Sequence, residues 1–386
     1  MSEVRVNNLT NANQTGGPTL SGITTFSSNH FFVPPQGNTA SRPSSSPVGA
    51  LRFNTDTYHL EYYRGDKIGW VEIEAELTEP LGGGTGSNEG LGTRALAFGG
   101  GSPSSTNIIN FLTIETLGDA QDFGDLNHAE SSGAAISDRT RMLCVGGSSL
   151  NPGHVNIIEK ITISSQGNGS DFGDTLNDCA HNPYGGGSST RGVYGGGGAP
   201  GYVNNLEYIT IQSEGNGVDF GDLQAEGRFR RGNAGSTTRG VIMGLYAPGG
   251  DSHLNHNTIE FITFATTGNA ADFGDLVTTG SDMTSSSNCV RALRIGKWPT
   301  SDQIEFVMIA TLGNAIDFGD LTTNVYHSSS ATNPTRAIKI AGNIASGATN
   351  ACEFVTIATT GNGKDFGDLT YATRGVMANS NGHGGL

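Results

Sequence analysis

The clearest apolar pattern in the chain is a short run in which apolar positions flank one acid or amide, and it is written six times. The fourth copy reads Ile259-Glu260-Phe261-Ile262-Thr263-Phe264. The position before the acid or amide is Ile109, Ile158, Leu206, Ile259, Ile304 or Cys352. Two residues after it stand Leu112, Ile161, Ile209, Ile262, Val307 and Val355, and four after it Ile114, Ile163, Ile211, Phe264, Ile309 and Ile357. Side chains alternate along a strand, so both faces of this one are apolar. A two-layer sandwich leaves one face polar, whereas a sheet clamped between two other sheets does not, which favours a propeller.

Each run leads into a Gly-Asn turn (Gly118-Asp119 in the first copy) and then an Asp-Phe-Gly-Asp block starting at Asp122, Asp171, Asp219, Asp272, Asp317 or Asp365. Successive blocks start 49, 48, 53, 45 and 48 residues apart, in the range for propeller blades. Twelve residues before each block comes Asn110, Glu159, Glu207, Glu260, Glu305 or Glu353. An Arg follows 19 or 20 residues after each of the first five blocks (Arg141, Arg191, Arg239, Arg291, Arg336), and Arg94 precedes the first copy. Only the stretch from that Arg to the acid varies, from 14 to 21 residues. A fixed scaffold with one variable loop per unit is how binding repeats are built. The recurrent Phe123, Phe172, Phe220, Phe273, Phe318 and Phe366 are read as anchors of the core between blades.

This register predicts an all-β chain: a six-bladed β-propeller over 93–386, preceded by an extended arm (1–48), a small hairpin or meander (49–76) and a Gly-rich linker (77–92). The repeat region begins at Arg94 with the second strand of a blade, and residues 371–382 are expected to supply the missing first strand, with Arg374 in it. The arm is rich in Asn, Ser, Thr, Gly and Pro and builds no core of its own. The meander alternates β-rich runs with Asn/Asp and Gly turns, and so small a sheet calls for support from a partner chain or neighbouring domain.

Composition narrows the function. Charged residues make up 15% of the chain and the net charge is −15, which argues against nucleic acid or an anionic membrane surface as partner. The N-terminus has no signal-peptide pattern and no apolar run reaches the length of a membrane span, so synthesis in a cytoplasm without membrane insertion is expected. The four cysteines fall at unrelated repeat positions and are read as buried free thiols. Asp-Phe-Gly invites comparison with the kinase metal motif, but the accompanying kinase elements are missing and six copies do not suit one active site. The repeated Asp are read as turn caps in preference to calcium ligands. No catalytic carboxylate pair, nucleophile elbow or zinc spacing stands out, and no cofactor or metal is expected. His253 and His256 lie close together in what reads as a loop, and are taken as solvated. The variable loops are the functional candidates: His154, Tyr202, Tyr246, His253, His256, Lys297 and Trp298 place aromatic and polar groups where glycan or protein recognition uses them.

The words Ile-Glu-Tyr/Phe-Ile-Thr-Ile, Gly-Asn, Asp-Phe-Gly-Asp-Leu and Thr-Arg-Gly-Val, with the leader Gly-Pro-Thr-Leu-Ser-Gly-Ile-Thr-Thr-Phe and Leu51 through Trp70, resemble virion structural proteins of marine cyanobacterial phages over nearly the whole chain. The paired glycines are similar to those of kelch propellers in architecture only, since the aromatic positions of that motif are missing. The resemblance implies a non-enzymatic virion component, tail- or fibre-associated and present in multiple copies or as a homo-oligomer. On that basis the N-terminal region, with Phe26, Phe31, Phe32, Phe53, Tyr62 and Trp70, docks onto other virion proteins. The propeller loops then meet a host-surface glycan or protein. The alternatives are a head-decorating or tail-stabilising protein and, further off, a polysaccharide-degrading tailspike-type enzyme.

Overall fold

The computed structural model describes residues 34–57, 59–73, 94–148, 153–197, 201–227, 232–249 and 252–386. The chain divides into two compact units, Met1–Leu77 and Thr78–Leu386. Both are all-β; among the described residues the only helix is the short 3-10 turn Thr39–Ser41. Phe26, Phe31, Phe32 and the linker lie outside the described residues.

The smaller unit is a four-stranded sheet of β1 (Gln36–Gly37), β2 (Leu51–Asn54), β3 (His59–Tyr63) and β4 (Trp70–Ile73). The last three form the meander, while β1 comes from the preceding segment and pairs in parallel with Phe53 and Asn54. Glu61 is fully buried here and is met by Arg42 at 2.6 Å and Arg52 at 3.4 Å. Trp70 donates its indole N–H to the Pro43 carbonyl, packs 5.4 Å from Tyr63 and lies under the Arg52 guanidinium. Phe53, Tyr62 and Trp70 are all half-buried.

The larger unit is a set of small antiparallel sheets in a propeller-like arrangement. In chain order the strands are β5 (Arg94–Phe98), β6 (Thr106–Thr113) and β7 (Gln121–Glu130), then β8 (Ala134–Ser137), β9 (Arg141–Ser148), β10 (His154–Thr162) and β11 (Ser170–Asp174). Next come β12 (Tyr184–Gly187), β13 (Arg191–Gly195), β14 (Val203–Thr210) and β15 (Val218–Gly227), followed by β16 (Arg239–Gly249), β17 (Ser252–Thr263) and β18 (Ala271–Gly280). The remainder are β19 (Thr284–Ser287), β20 (Arg291–Lys297), β21 (Ser301–Met308) and β22 (Ile316–Val325), then β23 (Ser329–Thr332), β24 (Arg336–Ile344), β25 (Gly347–Thr356), β26 (Lys364–Thr373) and β27 (Met377–Ser380). Each sheet is a local meander, except that β27 pairs antiparallel with β5, matching Met377 to Phe98 and Ser380 to Ala95. In the sheet of β16–β18 a single bridge between Gly235 and Gly240 stands where the other sheets have a first strand.

The repeated words are the contacts between successive sheets. Each repeat Arg donates from its guanidinium to a main-chain carbonyl of the next sheet: Arg94 to Ile163, Arg141 to Ile211, Arg191 to Phe264, Arg239 to Ile309, Arg291 to Ile357 and Arg336 back to Ile114, all at 2.7–3.1 Å. The turn Gly donates its N–H to the repeat Phe carbonyl of the preceding sheet, as Gly167 does to Phe123 and Gly118 to Phe366. Beside it, the turn Asn accepts an N–H from the last Asp of the block, Asn168 from Asp125 at 3.1 Å, for example. The block glycine must be glycine: Gly124 has φ +151°, and a Cβ there would lie 2.4 Å from the Gly167 carbonyl oxygen. The acid of the apolar run is buried and accepts main-chain N–H groups from the preceding sheet, Glu207 from Leu176 and Asn177, Glu305 from Val277 and Glu353 from Thr322. Every repeat Phe is buried, and each packs with residues of the following sheet, as Phe123 does with Ile161 and Ile163.

Several expectations change. Asp-Phe-Gly-Asp lies inside a strand and not at a turn, because its two main-chain edges are both in use, one within its sheet and one against the next. Tyr371–Thr373 continue β26, Arg374 sits in the bend after it, and the strand that meets β5 is only Met377–Ser380. Beyond that strand Asn381–Leu386 is buried, with Gly384 N–H bonded to the Ser287 carbonyl and the His383 ring to that of Ser137. Cys144, Cys179 and Cys352 are free and buried, while Cys289 is half-buried.

Candidate recognition surface

The connections that leave the last strand of one sheet for the first strand of the next, and the loops between second and third strands, emerge at the same end of their sheets. Four consecutive sheets build an aromatic arc there. Tyr202, just before β14, lies 6.5 Å from Tyr246 on β16. Tyr246, Ser281, Asp282, Trp298 and Tyr326 line an open depression of about 300 Å³. Trp298 and Tyr326 are 4.9 Å apart and tilted, and Tyr326 stacks on His327 at 5.7 Å.

Local main-chain bonding fixes these side chains. Tyr246 sits on the long β16–β17 hairpin, paired with Asn255. Trp298 follows β20 and exchanges N–H···O bonds with Ser281 at 2.6 and 3.1 Å. Tyr326 does the same with Asn343, whose amide also reaches the Tyr326 hydroxyl. Asp282 and His327 occupy the left-handed region, at φ +51° and +54°, and His327 N–H bonds to the Asp282 carbonyl. Ser132 (φ +61°) and Gly375 (φ +67°) make the same turn, so the conformation belongs to the repeat and only the side chains are particular to this end. Asp282 is 7% exposed; its Oδ1 accepts the Asn182 amide N–H at 2.9 Å and lies 2.8 Å from the His327 Nε2. Rigid aromatic faces beside an oriented carboxylate suit a ligand with an apolar face and hydroxyls on its edge.

The predicted residues divide into two groups. Tyr202, Tyr246 and Trp298 come together in the arc. Lys297 is the last residue of β20 and its ammonium is committed to Thr278 Oγ1 (2.7 Å) and the Thr279 carbonyl (3.0 Å); burial lowers its pKa, Arg294 adds to this and Glu305 opposes it. His154 opens β10 and packs edge-on against His181 at 4.8 Å, away from the arc residues in sequence and sheet. His253 and His256 are not in a loop: both are on β17, paired with Pro248 and Leu245, because the hairpin carries the strands outward. The side chain of His253 lies outside the described residues. Ser281, Asp282, Tyr326 and His327 were missed by sequence reasoning. Their signal was there, since they stand nine and ten residues after Asp272 and Asp317, in the connection that reaches the same end as the variable loops.

No helix is long and apolar enough to cross a membrane among the described residues. Compared with known proteins, the chain matches no family model and no curated sequence.

Proposed function

We propose that the chain is a non-enzymatic virion structural protein, tail- or fibre-associated and present in multiple copies. In this reading the six sheets of the larger unit are the blades of one closed, kelch-like propeller. The cyclic series of Arg-to-carbonyl bonds supports closure, since it runs from Arg94 through Arg336 and returns to Ile114. The pairing of β27 with β5 supports it too. The N-terminal region anchors to other virion proteins, and the propeller presents the aromatic arc to glycans of a host surface. The observation that carries the recognition role is the depression between Tyr246, Trp298 and Tyr326. A sugar ring offers a C–H face that stacks on such rings and hydroxyls that Asp282 and Ser281 can bind.

The test is competition of host adsorption. Purified full-length protein should compete with virions for host cells, and Trp298→Ala should lose that competition while folding normally, since its ring is exposed. Equal competition by the variant would remove the arc from the recognition role. Failure of the wild type to compete, together with binding to other virion proteins, would instead favour a purely capsid- or tail-stabilising part. Release of saccharide products from host envelope would favour an enzyme.

A further inference from the structure

The boundary between β7 and the sheet of β8–β11 holds a second cluster, independent of the recognition reading. Glu130, the last residue of β7, and Glu159 on β10 are each 1% exposed. His128 is two residues before Glu130, in the part of β7 where the register with β6 shifts and the consecutive N–H groups of Asn127 and His128 both turn toward Glu159. One ligand-type atom from each of His128, Glu130 and Glu159 lies within 4.8 Å of the other two. The His128 Nδ1 is 2.9 Å from Glu159 Oε1.

The hydrogen-bond accounting of the two acids differs. Glu159 plays the repeat role, with Oε2 taking the Asn127 N–H at 2.8 Å and Oε1 the His128 N–H at 3.1 Å. Glu130 has no such role. Its Oε2 accepts only the weak Cys144 S–H, at 3.7 Å, and its Oε1 is shut away from solvent and meets no donor among the described residues. Nor does a lysine or arginine among the described residues pair with either acid, although Glu305 has Arg294 and Glu353 has Lys339. Two buried carboxylates with an orphaned oxygen between them lack a positive group.

We propose that His128, Glu130 and Glu159 bind one first-row divalent cation of the Zn²⁺ class, clipping β7 to the neighbouring sheet. One nitrogen and two carboxylate oxygens suit Zn²⁺ better than Ca²⁺ or Mg²⁺, which favour all-oxygen sets. The imidazole binds through Nδ1, so its proton moves to Nε2, on a side chain that is half exposed. Water fills the fourth position from that open side, and Cys144 stays behind Glu130 as the group that positions its Oε2.

The experiment titrates ZnCl₂ into chelator-treated full-length protein by calorimetry, with CaCl₂ and MgCl₂ as comparators, and follows thermal unfolding in parallel. One Zn²⁺ per chain with a raised melting temperature is expected, and weaker binding of the other two ions. Glu130→Gln keeps the shape and should weaken Zn²⁺ binding by about 100-fold or more, as should His128→Ala, since even outer partners of metal ligands are worth about 10- to 100-fold. Both variants should unfold at the same temperature with and without Zn²⁺. His154→Ala, which removes the other histidine pair, should bind as the wild type does. The proposal fails if the wild type binds no stoichiometric Zn²⁺. It fails equally if Glu130→Gln and His128→Ala leave the affinity unchanged, or if His154→Ala abolishes it.

Discussion

Two sheets place the same buried acid against opposite surroundings. In the sheet of β19–β22, Glu305 faces Arg294 across the β20–β21 ladder, and both side chains are at most 2% exposed. Arg294 bonds directly to Glu305, and its two terminal nitrogens also donate to the Gly296 and Gln303 carbonyls and the Thr278 hydroxyl, each at 3.3 Å, while its Nε–H meets no acceptor among the described residues. In the sheet of β8–β11 the corresponding acid, Glu159, faces Cys144, and a second carboxylate, Glu130, stands beside it. Burial and then the Glu159 charge raise the Glu130 carboxyl to about 8, with the Cys144 S–H pulling the other way. Burial, then the two acids, push the Cys144 thiol well up. The difference teaches what the repeat demands. It needs an acceptor at this position for the main-chain N–H groups of the preceding sheet. How that acceptor's charge is balanced is left to the facing residue, which is Cys144, Tyr194, Ile242, Arg294 or Lys339.

The sharpest way to break this comparison is to remove the cation from the balanced sheet. Arg294→Met leaves Glu305 buried beside a neutral neighbour and should cost about 3–5 kcal/mol in urea unfolding. Adding Glu305→Gln should restore a large part of that loss, because the uncompensated charge is gone. A single-variant cost under about 1 kcal/mol would mean that the two sheets do not differ in kind.

A third arrangement holds a buried ionisable group neutral. The His383 ring donates to the Ser137 carbonyl at 3.0 Å and accepts the Gly385 N–H at 3.1 Å, which uses one nitrogen as donor and one as acceptor. Protonation would remove the acceptor. Burial lowers its pKa to about 4; the Ser137 carbonyl and Asp138 oppose that shift, and Arg139 adds to it. The unfolded chain, titrating near 6.5, binds a proton that the folded chain refuses. Stability from this group is therefore complete above about pH 6.5 and is lost as pH falls toward about 4, by up to roughly 3 kcal/mol. Denaturant unfolding at several pH values should show that slope, and His383→Gln should flatten it.

Between these extremes stands Glu207, whose facing Tyr194 donates its hydroxyl at 2.8 Å while Leu176 and Asn177 supply main-chain N–H groups. Tyr194→Phe removes one of several donors and should cost about 1–2 kcal/mol in the same unfolding measurement. A cost near that of Arg294→Met would show that a neutral hydroxyl is as necessary as the cation.

Much of the architecture was legible because it is local and repeated. The fixed twelve-residue spacing from Glu159 to Asp171, or from Glu305 to Asp317, marks a third strand, a turn and a fourth strand. The aromatic loop residues Tyr202 (half-buried) and Trp298 (exposed) could be named because they fall in the one stretch of each repeat whose length varies, between the repeat Arg and the acid. The charge balance could not. The facing residue stands three positions after the repeat Arg in each copy, as Arg294 follows Arg291, but its type changes from copy to copy and a loop of variable length separates it from the acid, so the pairing shows only once the strands are in register. His128 and Glu130 are separated from Glu159 by a sheet boundary, and their meeting follows from a tertiary contact that the repeat itself hides. The repeated Asp read as turn caps in the sequence, whereas Asp122 and Asp125 lie inside β7, where Gly124 lets the Gly167 carbonyl approach.

The smallest effect falls at the residue that defines the unbalanced sheet. Cys144 is buried but small, and its only polar contact in that cluster is a long S–H···O bond to Glu130, with Met377 sulfur at 3.8 Å on the other side. Cys144→Ala deletes one sulfur atom and a weak donor, and leaves the main-chain donors of Glu159 in place. The expected cost is about 1 kcal/mol, several times less than Arg294→Met at the equivalent position of the other sheet. Thermal or urea unfolding of the two variants side by side decides the matter. If Cys144→Ala proves as costly as Arg294→Met, the thiol is what makes the buried Glu130 tolerable, and the contrast between the sheets lies in the facing residue itself, with charge balance secondary.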